Sequence, residues 1–403
     1  MNKLETWFVG RHPELNLSPK LPYMYVIYLC YYCIVGLCST FINFLILKVN
    51  GKMEAVIVYN LFIQLSRPFF FALAGYIIKK HSKVLVLRMG VSSYMLFLLI
   101  ALVSGKSLAA YSWLMGLIVG FAHGCFFISY NTLIMEYTED YNRRYACSIT
   151  AVITYFSTLM TPLMSSLIVY KYTKENKGYA IVFTIALIIN IISSITSFKI
   201  KKDVSEESYN IREVFDSVIK SKDTKLVFAA EFVRGIRDGV IIFLTNQLVY
   251  ILTKNELLVG ILSVVYFVIT VTFSRIMRKI NRENKWYFLS AGIVLINIAG
   301  FIVYFNLNIY TAVVFGLLGC FSTPIINSIT TIAFNHISQN GNFDNGRVEG
   351  LVLREFVLAA GKVLGISMLL ILKFSLQNCA TVLLAVSLSQ IALIFLYKKI
   401  QYL

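Results

Sequence analysis

The sequence predicts an all-α membrane protein whose twelve transmembrane helices form two pseudo-symmetric six-helix bundles. Of the 403 residues, 58% are hydrophobic and only 14% are charged, whereas roughly a quarter of a soluble domain is charged. The apolar residues gather in runs of about twenty or more, which is long enough to cross a bilayer as helix. The runs are continuous rather than alternating, so they indicate helices and not a closed barrel. Similar basic loops in the two halves of the chain indicate the pseudo-symmetry.

The apolar runs define twelve candidate spans, numbered here in chain order. They cover residues 22–47, 54–78, 84–104, 108–136, 144–170, 179–198, 225–252, 256–277, 286–306, 309–335, 348–372 and 378–397. The predicted organisation is therefore a cytoplasmic N-terminal segment (1–21), an N-terminal six-helix bundle (22–198), a cytoplasmic linker (199–224), a C-terminal six-helix bundle (225–397) and a cytoplasmic tail (398–403).

The linker between the bundles is polar but contains apolar residues at helical spacing. These residues are Ile211, Val214, Phe215, Val218 and Ile219. Because they line one face of a helix, they predict an amphipathic helix on the inner membrane surface.

The distribution of Lys and Arg predicts that both termini are cytoplasmic. With the N-terminus inside, the cytoplasmic segments hold 23 of the 37 Lys and Arg residues, and the outer loops hold 8. An excess of basic residues in short loops marks the cytoplasmic side of a membrane protein. This distribution also accounts for the net charge of +17. Nucleic acid is excluded as a partner because the sequence contains no soluble basic domain.

The two halves resemble each other at equivalent loops, which indicates an internal duplication. Lys79-Lys80 follows span two, and Arg278-Lys279 follows span eight, 199 residues later. A second pair of basic loops follows spans four and ten in the same way.

This arrangement resembles the major facilitator superfamily over essentially the whole chain. The family's signature between spans two and three is usually G-x-x-x-D-R-x-G-R-R. Gly75, Lys80 and Lys83 match its leading glycine and two of its basic positions. Lys79 departs from the pattern, because it stands where the family has the acidic residue that helps to latch the two halves on the cytoplasmic side. The resemblance implies a two-bundle fold, alternating access, a site between the bundles near the middle of the membrane, and a gating loop formed by these four residues.

Several titratable residues lie inside the predicted spans, where a charge costs about 2.5–3.5 kcal/mol near the centre. Arg67, His123, Asp238 and Lys362 come from four different spans at a similar depth. In the family that the chain resembles, spans four and seven line the central cavity, and spans two and eleven form part of its walls. These four residues are therefore predicted to contact the substrate or to couple transport to an ion.

Three further residues belong to the predicted site because of their spacing. Glu231, Arg234 and Asp238 lie three and then four residues apart, so they share one face of span seven and can pair along it. Glu355 and Lys362 lie seven apart, on one face of span eleven. The residues predicted for substrate binding or coupling are thus Arg67, His123, Glu231, Arg234, Asp238, Glu355 and Lys362.

Structural roles for these residues are also consistent with the sequence. The three charged residues of span seven suit an ion network that fixes that helix. Arg67 precedes a proline and suits a kink stabilised by backbone carbonyls. His123 follows Gly116 and Gly120 at a spacing typical of close helix packing, which suits a packed, hydrogen-bonded histidine. Lys362 lacks such an explanation and needs a partner, for which Glu355 and Asp238 are candidates.

Basic residues outnumber acidic ones within the spans. Away from the span ends, the charged residues are Arg67, Arg234, Arg237, Arg354 and Lys362 against Glu231, Asp238 and Glu355. A surplus of cations favours an anionic or zwitterionic solute. The four tyrosines of span one (Tyr25, Tyr28, Tyr31 and Tyr32) would suit an apolar part of that solute, but we assign most of them to the interfacial belt and the lipid-facing surface.

These observations predict a secondary active transporter that moves a small solute across the plasma membrane, of bacterial type, as a monomer. Protons are the candidate coupling ion. One alternative is a proton-coupled efflux pump for amphipathic drugs or peptides, and another is a non-transporting receptor or scaffold with the same fold. An enzyme is disfavoured, because no nucleotide-binding loop occurs and no histidine lies beside a carboxylate in a reactive motif. The sequence predicts no metal site and no cofactor.

Overall fold

In the computed structural model, the described residues are 17–172, 177–201, 209–277, 285–339 and 347–400, and within these ranges every regular element is a helix. The first six long helices are α1 (Leu21–Asn50), α2 (Met53–Lys80), α3 (Lys83–Val103), α4 (Ser112–Glu136), α5 (Asp140–Lys171) and α6 (Lys177–Ser197). A short 3-10 turn, Gly105–Ala109, precedes α4.

The second half of the chain begins with a short helix and continues with longer ones. These helices are α7 (Ile211–Lys220), α8 (Lys222–Thr253), α9 (Glu256–Met277), α10 (Lys285–Phe305), α11 (Ile309–Gln339), α12 (Arg347–Ile371), α13 (Leu376–Ser389) and α14 (Ile391–Lys398). Because α13 and α14 follow each other across the single residue Gln390, they form one crossing.

Twelve helical crossings confirm the predicted fold class. Ten segments among the described residues are long and apolar enough to span a bilayer, counting α13 and α14 together. The helices α8 and α12, with 32 and 25 residues, are also long enough to cross a bilayer. They differ from the other ten segments because they contain most of the intramembrane charges. Charged residues lower the hydropathy of these two helices, so their charges need a compensating environment within the protein.

Local sequence signals set several helix ends. The hydroxyls of Ser82, Ser221 and Ser375 accept hydrogen bonds from backbone N–H groups three residues later, which caps α3, α8 and α13. Gly51 ends α1 in the left-handed region, with φ of 69°, a conformation that glycine adopts without steric cost. These caps place the turns close to the boundaries that hydropathy predicts.

Glycines allow two helix pairs to pack backbone against backbone. A Cβ atom on Gly120 of α4 would lie 2.9 Å from the Ile63 carbonyl oxygen of α2, and one on Gly235 of α8 would lie 2.4 Å from the Leu358 carbonyl oxygen of α12. Such distances leave no room for a side chain. The close packing of α2 with α4 and of α8 with α12 fixes the positions of the charged residues that these helices contain.

The two halves meet along two seams, α2 against α12 and α5 against α9. At the end of the protein that holds the α1–α2 turn, which we call the α1–α2 end, the Phe44 ring stacks on Tyr250 with 4.2 Å between centroids. Beside this pair, the Tyr179 hydroxyl donates a 3.0 Å hydrogen bond to the Glu256 carboxylate. Side-chain contacts between the halves therefore close the α1–α2 end.

The helix α7 has the amphipathic character that the sequence predicts. Val214 and Val218 are buried in an apolar cluster of the second half, whereas Phe215 and Ile219 are 49% and 47% exposed. Ile219, the last residue of this exposed apolar side, precedes the polar first residue of α8, Lys222, by three positions. Its placement on the inner membrane surface stays a prediction.

Candidate functional site

A cavity of about 360 Å³ lies between the two halves. Its walls come from α1 and α5 of the first half and from α8, α9 and α11 of the second. The lining includes Ser39 and Thr40 of α1, Thr158 of α5, Asn246 of α8 and Thr323 of α11. A cavity of this size, with walls from both halves, is at the lower end of the range for small-molecule sites.

An ion network lies next to this cavity, one helical turn before the first cavity-lining residue of α8. The Nη2 atom of Arg237 lies 2.7 Å from Asp238 Oδ1. The same nitrogen donates a 2.9 Å hydrogen bond to Asn327 Oδ1 of α11. Arg234 Nε lies 3.6 Å from Asp238 Oδ2, and its Nη1 donates to the Thr330 hydroxyl at 2.9 Å. The network therefore links α8 to α11.

The same network continues to α12 through Glu231. This carboxylate is fully buried and forms ion pairs with Arg234 Nη2 and Arg354 Nη2, both at 2.8 Å, and it accepts a 2.9 Å hydrogen bond from Arg354 Nε. Arg354 also lies over the Phe334 ring, with its guanidinium carbon 4.5 Å from the centroid. The predicted pairing within α8 is present in the structure, and it extends to two neighbouring helices.

Arg67 and Glu355 form an ion pair across the α2–α12 seam. The Arg67 Nε lies 2.8 Å from Glu355 Oε1, and the side chains are 21% and 12% exposed. The Arg67 guanidinium also lies over the Phe127 ring of α4, 5.3 Å from its centroid. The sequence suggested Lys362 as the partner of Glu355, but its ion-pair partner in the structure is Arg67, on the other half of the protein.

Lys362 is a further charged residue of α12, and it makes no ion pair within the described part of the chain. Its side chain is buried, with 6% of the residue exposed. Among the residues that the structure describes, no carboxylate lies within ion-pair distance of its ammonium group, although Glu355 and Asp238 act on it electrostatically. A charged group in this position is costly unless another group compensates it. Lys362 is thus a buried basic side chain that no ion pair among the described residues compensates.

His123 is a packed, hydrogen-bonded residue of α4. Its Nδ1 shares a short hydrogen bond with the Tyr31 hydroxyl of α1, and its ring stacks on Phe127. Tyr31 is 2% exposed, and Tyr25 and Tyr28 are also buried. The assignment of most span-one tyrosines to the lipid-facing surface is therefore wrong, because α1 points these rings into the bundle.

The predicted gating loop lies at the opposite end of the protein, at the α2–α3 turn, where it contacts α12. Lys79 Nζ lies 2.9 Å from Glu349 Oε1 of α12, and both side chains are buried. The Asn210 backbone N–H donates to the same oxygen at 3.2 Å. Tyr209 precedes Asn210 in the sequence, and its hydroxyl donates to the Ala72 carbonyl of α2. Burial and the nearby Glu349 carboxylate raise the pKa of Tyr209 to about 12, so this phenol stays protonated.

The other gating-loop residues have separate positions. Gly75 lies against α12, since a Cβ atom there would be 3.4 Å from the side chains of Val348 and Val352. Lys83 pairs with Glu136 of α4 at 2.7 Å, and Lys80 is exposed. The counterpart motif at 278–282 lies outside the described residues.

Sequence reasoning missed the polar partners that lie in apolar spans. Asn327 and Thr330 of α11 are three residues apart and both contact arginines of α8. Polar residues that recur at helical spacing in an otherwise apolar span were the signal that could have identified them. Glu349 was missed because its partner lies 270 residues away. None of the site residues named from the sequence is among the residues that line the cavity.

Comparisons with known proteins agree on the family and the fold. The sequence pattern of the Major Facilitator Superfamily matches residues 24–343. The uncharacterized protein YqgE of Bacillus subtilis (strain 168) is 27% identical over 337 residues, which cover 82% of this chain and 77% of that protein. An uncharacterized protein in the sodM 3' region of Geobacillus stearothermophilus is 30% identical over 149 residues, 37% of this chain and 69% of that protein.

Two solved structures share the fold at low sequence identity. A mutant of the nucleoside transporter NupG superposes with a TM-score of 0.71 at 14% identity, covering 95% of this chain and 100% of that one. A bacterial homologue of the iron transporter ferroportin, in an outward-facing state, superposes with a TM-score of 0.63 at 12% identity. The match covers 95% of this chain and 99% of that one. The match to the family covers more than half of the sequence, and the chain therefore belongs to the Major Facilitator Superfamily.

Proposed function

We propose that this protein is a secondary active transporter that moves a small polar solute across the plasma membrane by alternating access. The observation that carries the proposal is the cavity between the halves, which has walls from both of them. The contacts that close its two ends are non-covalent pairs between the halves, Phe44 with Tyr250 at one end and Lys79 with Glu349 at the other. Such contacts can form and break alternately as the halves rock.

We place the α2–α3 end and both termini in the cytoplasm. The excess of Lys and Arg in the loops at that end supports this orientation. It also puts α7 on the inner side of the membrane, where its exposed Phe215 and Ile219 can contact lipid.

The charged residues beside the cavity are proposed to couple solute movement to an ion, with protons as the candidate. Arg67 and Glu355 belong to different halves, so their 2.8 Å contact changes when the halves move. An anionic or zwitterionic solute stays a prediction from the surplus of cations. Lys362 supports it most, because the four arginines of that surplus all have carboxylate partners.

Alternating access can be tested without knowing the solute. Cys320 lines the cavity, and its labelling by a membrane-impermeant thiol reagent reports which side of the membrane the cavity opens to. The assay uses vesicles with the Cys33→Ser and Cys147→Ser changes, which remove two other accessible thiols. We expect Cys320 to be labelled from both sides.

A cross-linked variant is the matched control for that assay. Phe44→Cys with Tyr250→Cys places two thiols where the rings now stack. Forming this disulfide should abolish labelling of Cys320 from the α1–α2 side, and reduction should restore it. Labelling from one side only in the protein without the cross-link would show a static receptor or scaffold and contradict the proposed function.

A further inference from the structure

The cavity wall presents uncharged hydrogen-bonding groups that no group of the described residues uses. Ser39, Thr40, Thr158, Asn246 and Thr323 line the cavity. Within the described part of the chain, their side chains have no hydrogen-bond partner. These five residues come from four helices and both halves. Together they form a set of free donors and acceptors directed at one volume.

Other hydroxyls on the same wall are already satisfied, which sets the five residues apart. Thr245, Ser263 and Thr270 each donate to the carbonyl oxygen four residues earlier in their own helix, at 2.8–2.9 Å. A hydroxyl inside a membrane helix usually makes this bond, because lipid offers no alternative partner. Free hydroxyls therefore indicate that something else supplies the bond.

The described cavity wall lacks a group that could balance a charged solute. Among the described residues that line it, none carries a carboxylate, ammonium, guanidinium or imidazole group. The nearest charged residues on α8, Arg237 and Asp238, lie one turn away and pair with each other. Moving an unbalanced charge into a site without a counter-charge is costly, whereas a neutral hydroxyl or amide needs only a hydrogen bond.

Aromatic rings complete the wall. Tyr32, Tyr266 and Phe315 line the cavity together with the free polar groups. Ring faces beside hydroxyls suit a compact cyclic body that has polar substituents at its edge.

We propose that the central cavity binds an uncharged solute that contains several hydroxyl or amide groups, such as a sugar, a polyol or a nucleoside. This inference rests on the proposed transport function and names its solute class. It competes with the anionic or zwitterionic solute that the surplus of intramembrane cations predicts. The difference between the two is which surface the solute contacts: the free hydroxyls of the cavity or the ammonium of Lys362.

A panel of matched probes distinguishes the two classes. The uncharged probes are glucose, ribose, mannitol and uridine, and the charged analogues are gluconate, ribonate, glucosamine and uridine monophosphate. Binding to the purified protein is measured as the rise in Tm at increasing concentration, because a ligand that binds only the folded state stabilises it. We expect at least one uncharged probe to bind at least tenfold more tightly than its charged analogue.

Variants then locate the binding to the cavity wall. Thr158→Val and Thr323→Val remove a free hydroxyl at nearly constant volume, and each should weaken binding of that probe about tenfold. Thr272→Val is the matched control, because Thr272 of α9 lies outside the cavity lining and its hydroxyl is already bonded to the Val268 carbonyl, and this variant should bind as the unchanged protein does.

Three results would overturn the inference. They are tighter binding of the charged analogues, unchanged binding in the two valine variants, and no binding by any uncharged probe. The Cys320 labelling assay keeps this failure separate from a failure of the transport function. Labelling from both sides with preference for a charged probe rejects only the solute class, whereas labelling from one side rejects transport itself.

Discussion

Lys79 and Glu349 form a buried ion pair between the two halves, with 2.9 Å between Nζ and Oε1. The signature of the family places an acidic residue where Lys79 stands, so the charge on the α2 side of this contact is opposite to that of the signature. The backbone N–H of Asn210, at the start of α7, donates to the same carboxylate oxygen. The linker between the halves thus contacts the point where the halves meet.

Reversal of this pair tests whether it holds the α2–α3 end closed. Lys79→Glu and Glu349→Lys each place like charges together in a buried site, so each should lower the stability of this closed state by about 3–5 kcal/mol. The double variant restores opposite charges and should recover most of that loss. Recovery should stay incomplete, because the ammonium group introduced by Glu349→Lys cannot accept the hydrogen bond from Asn210. The measurement is Tm in detergent, together with Cys320 labelling from the α2–α3 side.

The adjacent residue supplies the control for this experiment. Lys80 is exposed, so Lys80→Glu should change Tm by little, as surface charges usually do. If the double variant is no more stable than either single variant, the ion pair does not determine closure.

The fold could be predicted from the sequence because long, mainly apolar runs mark the crossings, and ten of them among the described residues are apolar enough to span a bilayer. The structure begins α9 at Glu256 and ends it at Met277, which are the predicted limits of span eight. The partners of the charged residues could not be predicted in the same way. Arg67 meets Glu355 and not a neighbour in its own helix, because pairing between helices depends on their rotation and register. Periodicity within one helix contains no information about either.

Close packing behind Lys362 leads to a second prediction. A Cβ atom on Gly239 would lie 2.4 Å from the Lys362 carbonyl oxygen, and the backbone of α12 would have to move to accept it. Gly239→Ala should therefore destabilise the protein by about 1–3 kcal/mol. Gly319→Ala is the matched control, since its Cβ would meet only Ile296 Cδ1 at 3.8 Å. A Tm of Gly239→Ala equal to that of the control would show that α8 and α12 are not in such close contact.

Lys362 has no ion-pair partner among the residues that the structure describes, which predicts an unusual combination of effects. Lys362→Met removes the ammonium group that is proposed to act on the solute or in coupling, so it should abolish transport. The variant removes a buried charge without leaving a partner behind, so Tm should stay the same or rise. Arg67→Met should behave differently, because it leaves Glu355 buried without its partner and should lower stability by up to about 3–5 kcal/mol. Tm and transport are measured on both variants. Misfolding of Lys362→Met would show that the lysine has a structural role.

The membrane orientation predicts where reporter fusions report. A fusion after Lys106 should lie outside the cell, and one after Lys202 should lie inside. An alkaline phosphatase reporter is active outside, and a green fluorescent protein reporter is fluorescent inside. The opposite result at either position would contradict the proposed orientation of the helices.

Coupling to protons, if the carrier uses them, should involve Glu355 or Asp238. Glu355 contacts Arg67 of the other half, so rocking separates the pair, whereas Asp238 contacts Arg234 and Arg237 of its own helix. A carboxylate that loses its cation in a poorly solvated site takes up a proton more readily, and it releases that proton when the cation returns. The structure therefore favours Glu355 over Asp238 as the coupling group.

Glu355→Gln and Asp238→Asn distinguish these two carboxylates, because each keeps the volume and removes the titration. Solute uptake is measured in vesicles with and without a pH gradient, and exchange is measured with solute on both sides. We expect Glu355→Gln to lose accumulation driven by the gradient and to keep exchange, since exchange needs no net proton movement. Asp238→Asn should retain some gradient-driven accumulation. If Glu355→Gln still accumulates solute in proportion to the pH gradient, the Arg67–Glu355 pair only holds α2 against α12, and the proton pathway lies elsewhere.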